Sequence, residues 1–138
     1  AATGLAPERL ILGLLESEHL DDAAARAHLV RLTGHGVRLA LGDFGTGNVS
    51  LAALRAFPVH QLKIAAAFLD DDPRTLELMV SMGALLDTET VVLGVAAADQ
   101  LARAGRARAG AAQGDLIAPM VDAAGPARLL ADQGVAIR

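Results

Sequence analysis

Residues 39–68 read "LALGDFGTGNVSLAALRAFPVHQLKIAAAF", and the order of patterns in this stretch decides the fold. The apolar run "VRLALGDFG" (37–45) ends on a glycine-rich turn, Gly45-Thr46-Gly47. "SLAALRAF" (50–57) has the spacing of a short helix, with Ser50 at its N-cap and Pro58 stopping it. "HQLKIAAAFL" (60–69) is apolar again. Continuous apolar strands belong to sheets covered on both faces, and parallel neighbours need a crossover between them, here a helix. The stretch is therefore a β–α–β unit.

The same alternation extends in both directions. Before it lie a strand in "RLILGLLES" (9–17) and a helix in "DDAAARAHLVRLTGHG" (21–36), ended by Gly34 and Gly36. After it comes the helix "DPRTLELMVSMGALLDTE" (72–89), with Asp72 as N-cap and Pro73 in the first helical position. The strand "TVVLGVAA" (90–97) and the helix "ADQLARAGRARAG" (98–110) follow. "AAQGDLIAPM" (111–120) reads as a short strand running into a loop, and "GPARLLADQGV" (125–135) as a last helix.

The expected fold is α/β, a partial TIM-like (β/α) barrel of about five mostly parallel strands with flanking helices. A closed eight-stranded barrel typically takes about 250 residues, more than the 138 present. The opening "AATGLAPERL" reads as the end of a preceding helix and loop, so residues 1–138 are expected to be the C-terminal portion of a larger barrel whose front half is absent.

Composition narrows the function. The chain is 53% apolar, which excludes a linker or a disordered tail. Its three aromatic residues are Phe44, Phe57 and Phe68, so the core is built from Ala, Leu, Val and Ile and is modest in area per contact. A net charge of −4 argues against a nucleic-acid surface, and Arg103, Arg106 and Arg108 read as a solvated helix end. Without cysteine there is no disulfide frame and no thiolate nucleophile or metal ligand. His19, His28, His35 and His60 are scattered at no metal-ligand spacing and are expected at the surface. No apolar run approaches the ~20 residues of a membrane span, and no signal pattern opens the chain. A cytoplasmic location without membrane contact is expected for this segment, whatever the attachment of its parent.

Chemistry in parallel α/β folds lies beyond the C-terminal ends of the strands. The polar residues there are Glu16, Asp43, Lys63 and Gln113. Two carboxylates are few for a metal pair. Asp43, before Phe-Gly-Thr-Gly, is either a ligand residue or a cap for its own turn. Lys63 is the stronger candidate, because an ammonium at an apolar strand end must find a partner. Gly45-Thr46-Gly47 lacks the Lys-Ser/Thr of a P-loop, and no Gly-x-Ser-x-Gly elbow is present.

The string "LGDFGTGNVSLAALRAFPVHQLKI" (41–64) resembles the EAL domain of bacterial cyclic-di-GMP phosphodiesterases, with its L-D-D-F-G-T-G-Y-S-S-L and L-P-V-D-x-L-K-I-D blocks. "LILGLLES" (10–17) stands for L-x-L-E-I-T-E-S, "VVLGVAAADQ" (91–100) for V-A-E-G-V-E-T-x-E-Q, and "AQGDLIAPM" (112–120) for Q-G-Y-x-F-S-x-P-M. The resemblance implies a TIM-like barrel in which two divalent cations, Mg²⁺ or Mn²⁺, activate a water that opens cyclic-di-GMP to linear pGpG.

It also implies what has changed. Positions that carry metal-binding carboxylates in the family are Gly13, Gly42, Ala65, Leu93 and Ala96 here, while Asp43, Lys63 and Gln113 are kept as ligand-binding residues. Glu16 matches the residue that braces the loop after D-D-F-G. From these five replacements the expectation is a degenerate domain that is no enzyme and takes no metal or other cofactor. Such a domain serves as a cyclic-di-GMP receptor or regulatory module, or as a protein-interaction module that no longer binds nucleotide. Its expected partners are cyclic-di-GMP, a signalling protein or a second copy of itself.

Overall fold

The computed structural model describes residues 4–15, 23–47, 50–122 and 125–132. Its strands are β1 (Ile11–Leu15), β2 (Arg38–Phe44), β3 (Gln61–Ile64), β4 (Glu89–Val92) and β5 (Ala111–Ala112). Its helices are α1 (Ala23–Gly34), α2 (Leu51–Ala56), α3 (Pro73–Leu85), α4 (Ala98–Arg106) and α5 (Gly125–Asp132). The five strands form one sheet in the order β1-β2-β3-β4-β5, every neighbouring pair parallel. Consecutive parallel strands joined by helices are the topology of a barrel wall, as the alternation of patterns implied.

Several elements are shorter than their sequence signals. The third strand stops at Ile64, and Ala66–Leu69 winds into a 3-10 turn. The fourth stops at Val92, and the fifth keeps two residues. Ala65, Ala66 and Ala67 follow β3, and alanine is the best helix former and depleted from strands, so an apolar run of alanines overstates the strand. Asp72 caps α3 as expected, its carboxylate accepting from the Arg74 N–H at 2.9 Å.

Register sorts the residues between two faces. Leu39, Leu41, Leu62, Ile64 and Val92 lie on the face toward the helices and are wholly buried there with Leu69 and Leu76. Each such side chain contributes roughly 1.5–3 kcal/mol by leaving water. Phe44 and Phe57 are buried in the same cluster and Phe68 packs against it, so the few aromatic rings all serve the core.

The opposite face holds Gly13, Ala40, Gln61 and Glu89 at one level, with Lys63, Val91 and Ala111 one level higher. β1, at the sheet edge, leaves Ile11, Leu12 and Leu15 exposed. Among the described residues no helix is long and apolar enough to cross a membrane.

Candidate functional site

At the C-terminal end of β2 the chain turns sharply. Asp43 sits at φ 53 and its carbonyl, not its carboxylate, accepts both the Thr46 N–H (3.1 Å) and the Thr46 hydroxyl (2.8 Å). The Asp43 side chain therefore points no cap at its own turn and stands exposed. Gly45 follows at φ 98, where an added Cβ would lie 2.6 Å from the Phe68 ring and 2.8 Å from the Met79 methyl. Glycine is required there by both conformation and space.

The next three strand ends are laced together. The Ala65 N–H donates to the Phe44 carbonyl at 3.3 Å, and the Leu93 N–H to the Ile64 carbonyl at 3.0 Å. Val95, fully buried, donates to the Gln113 carbonyl at 3.0 Å and accepts from the Leu116 N–H at 3.1 Å. Gly114 lies so close to the Val95 backbone that any Cβ would collide with it. The result is a rim of short loops with little freedom.

Within this rim Lys63, half-buried, directs its ammonium to the Gln113 Oε1 at 3.5 Å, a long contact that leaves most of its donor capacity unused. Among the described residues no carboxylate pairs with that ammonium. The structure thus brings Lys63 and Gln113 together, while no bond joins Asp43 to either. Glu16 lies outside the described residues.

The divalent cations implied by the resemblance need anionic oxygen ligands. Gly13, Gly42, Ala65, Leu93 and Ala96 offer no side-chain donor, and among the described residues no group of three His, Cys, Asp or Glu could hold a metal ion. The described side chains do not fit a metal site, and no step through a metal is derived from them.

Sequence reading passed over several residues that matter to the rim. Gln100, in the first turn of α4, accepts from the Ala96 and Ala97 N–H groups at 2.9 and 3.2 Å and donates to Asp70 Oδ1 at 3.1 Å. Arg103, expected to be solvated, is half-buried and donates to the Leu69 carbonyl at 2.9 Å. His60 is likewise no free surface residue, because its Nδ1 accepts the Leu39 N–H at 3.2 Å. Gln100 at the third helical position was the one local signal, since a glutamine there reaches back to cap its helix. A cleft of about 380 Å³ lined by Arg55, Met82, Leu85 and Leu86 lies between α2 and α3 and touches none of these residues.

A family model described as "EAL domain" matches residues 1–120. The chain belongs to the EAL domain family. Over 98 residues this EAL chain is 36% identical to the bifunctional diguanylate cyclase/cyclic di-GMP phosphodiesterase MucR of Pseudomonas aeruginosa, covering 66% of this chain and 14% of MucR. It is 40% identical to the cyclic di-GMP phosphodiesterase NbdA of the same organism over 80 residues, covering 54% of this chain and 10% of NbdA. The solved PaMucR phosphodiesterase, a c-di-GMP complex, superposes with a TM-score of 0.82 at 32% identity, over 89% of this chain and 53% of that one. The chain thus spans about half the length of that solved domain and a small part of the curated relatives.

These relatives correct two expectations. The expectation of a degenerate protein that is no enzyme does not stand, because proteins named as phosphodiesterases are among its near relatives. The expectation of no cofactor falls with it, since EAL phosphodiesterases use Mg²⁺ or Mn²⁺. The error was one of scope. Five uncharged strand-end residues describe one stretch of wall, and the chemistry of a barrel is assembled from all its strands.

Proposed function

We propose that residues 1–138 form the C-terminal portion of an EAL barrel and that this portion binds cyclic-di-GMP at the C-terminal ends of β2–β5. The observation that carries the reading is the Lys63–Gln113 pair at 3.5 Å, held on a rigid rim with no carboxylate among the described residues paired to the ammonium. Lys63 is directed to a phosphodiester oxygen, for which a compact ammonium is suited. Gln113 supplies one acceptor and two donors for nucleobase or ribose groups. Asp43, exposed on the neighbouring strand end, accepts from ligand N–H or O–H groups. Likeness to a domain solved as a c-di-GMP complex supports the same placement.

Calorimetric titration of cyclic-di-GMP, with and without Mg²⁺ or Mn²⁺, tests this. Binding is expected, and Lys63→Ala should weaken it about tenfold or more, the usual worth of a hydrogen bond to a charged group. No binding under any of these conditions overturns the reading. An assay for pGpG on the same samples reads whether the bound nucleotide is opened.

Self-association is favoured by a separate observation, the exposed Ile11, Leu12 and Leu15 on edge strand β1. Sedimentation at rising concentration should show increasing mass, reduced in Leu12→Lys. A constant monomer mass would overturn it.

A further inference from the structure

The side chain of Gln100 joins the loops after β3 and β4. Gln100 spends its Oε1 on two backbone N–H groups, those of Ala96 and Ala97, and its Nε2 on the carboxylate of Asp70. Only this orientation of the amide satisfies all three partners, because N–H groups need an acceptor and a carboxylate needs a donor. The two anchors lie on different loops. Ala96 and Ala97 end the connection from β4 to α4, while Asp70 ends the 3-10 turn that comes after β3. A second tie runs parallel to it, from the Arg103 guanidinium to the Leu69 carbonyl at 2.9 Å, with Asp99 4.0 Å from the same guanidinium. Between the loops Gly94, at φ 74, packs so tightly on Ala66 that a Cβ would strike it.

From this geometry we infer that Gln100 is a positioning residue, which locks the β3 and β4 loops into one arrangement around the Lys63–Gln113 pair and so sets ligand affinity from outside the pocket. The inference rests on the reading of these strand ends as the nucleotide site. Gln100 touches neither Lys63 nor Gln113. Its effect passes through Val95, next to Ala96, whose N–H fixes the Gln113 carbonyl, and through the 3-10 turn that continues from Lys63-Ile64-Ala65. A helix cap alone would need the bonds to Ala96 and Ala97 but not the bond to Asp70. The reach to Asp70 is what makes the residue a coupler.

Four variants of the full chain separate these roles: Gln100→Ala, Gln100→Glu, Asp70→Asn, and the pair Asp70→Asn with Gln100→Glu. In the pair a carboxylate at 100 still accepts from both N–H groups, and the amide at 70 now donates to it, so the cross-loop bond returns with reversed polarity. Three readouts are taken: amide hydrogen exchange at 66–70 and 96–97, cyclic-di-GMP affinity, and the denaturation midpoint. Gln100→Ala should speed exchange in both loops, lower the denaturation midpoint through the loss of two or three hydrogen bonds, and weaken binding about tenfold where the variant is still folded. Gln100→Glu alone, which sets two carboxylates against each other, should free 66–70 while keeping 96–97 protected. The pair should restore both loops and the affinity.

Faster exchange at 96–97 alone, with affinity unchanged, would reduce Gln100 to a helix cap and overturn the inference. Failure of the pair to restore 66–70 would overturn it as well. A parent chain that binds no nucleotide would sink the site reading and, with it, the claim on affinity. The exchange pattern would then still decide whether Gln100 couples the loops.

Discussion

The two ends of the parallel strands are built on opposite plans. At the N-terminal end, on the face away from the helices, Glu89 Oε2 accepts from the Gln61 amide at 3.0 Å and from the Arg38 guanidinium at 3.4 Å, tying β2, β3 and β4. His60 adds a bond to the Leu39 N–H just behind. At the C-terminal end Asp43 and Lys63 stand with small or apolar residues around them, and Lys63 makes only the long bond to Gln113 among the described residues. One end answers its own polar groups, and at the other, among the described residues, Asp43 stands exposed and Lys63 keeps most of its donor capacity unused. Such a division places stability at the bottom of a barrel and ligand chemistry at the top.

The sharpest way to break the comparison is to damage what both ends share. Leu62 is fully buried at the centre of β3, between the Gln61–Glu89 bond below and Lys63 above. Leu62→Ala should cost about 2–5 kcal/mol, from lost transfer energy and the cavity left behind. Urea denaturation reads this directly, and nucleotide binding should fall with it. A loss under about 1 kcal/mol would mean that the wall is not packed as one layer.

Glu89→Ala comes next and should act on stability alone. Gln61 is buried, 9% exposed, and its amide would lose its carboxylate partner, at a cost of roughly 1–3 kcal/mol. Glu89→Gln retains an acceptor and should recover most of it. Cyclic-di-GMP affinity, measured where both variants are folded, should stay within about twofold of the parent chain, about 0.4 kcal/mol. A larger shift would show that the two ends are not separate.

The sequence carried the β–α order because apolar runs and helical spacing are local signals, and Gly34, Asp72 and Pro58 punctuated them. The candidates Lys63 and Gln113 came from their place at the strand ends, and the family resemblance from short blocks that survive in order. What it hid are pairings between distant residues. Gln100 meets Asp70 across 30 positions and Arg38 meets Glu89 across 51, and periodicity carries no trace of either. Arg103 read as solvated for the same reason, since its partner is a backbone carbonyl on another loop. The strand ends were overrun because apolar character alone was read as strand, although the alanines that follow β3 are depleted from strands. The reading of inactivity failed differently: absent ligands were counted at five positions on four strand ends, and a statement was made about the activity of a whole protein.

The smallest effect separates the two contacts that Glu89 makes. Arg38 and Glu89 are 39% and 41% exposed at their side chains, so water screens their attraction and both side chains give up freedom to meet. An exposed pair of this kind contributes about 0.2–1 kcal/mol. Arg38→Met, which keeps the aliphatic stem against the sheet, should therefore lower stability by no more than that at low salt. In 1 M NaCl, where the screening length falls to about 3 Å, parent and variant should converge. Glu89→Ala should keep its deficit in the same salt, because its larger part is the stranded Gln61 amide and not a charge attraction. If the two variants instead lose the same energy and respond alike to salt, the N-terminal end is held by its ion pair after all, and the buried amide contributes little.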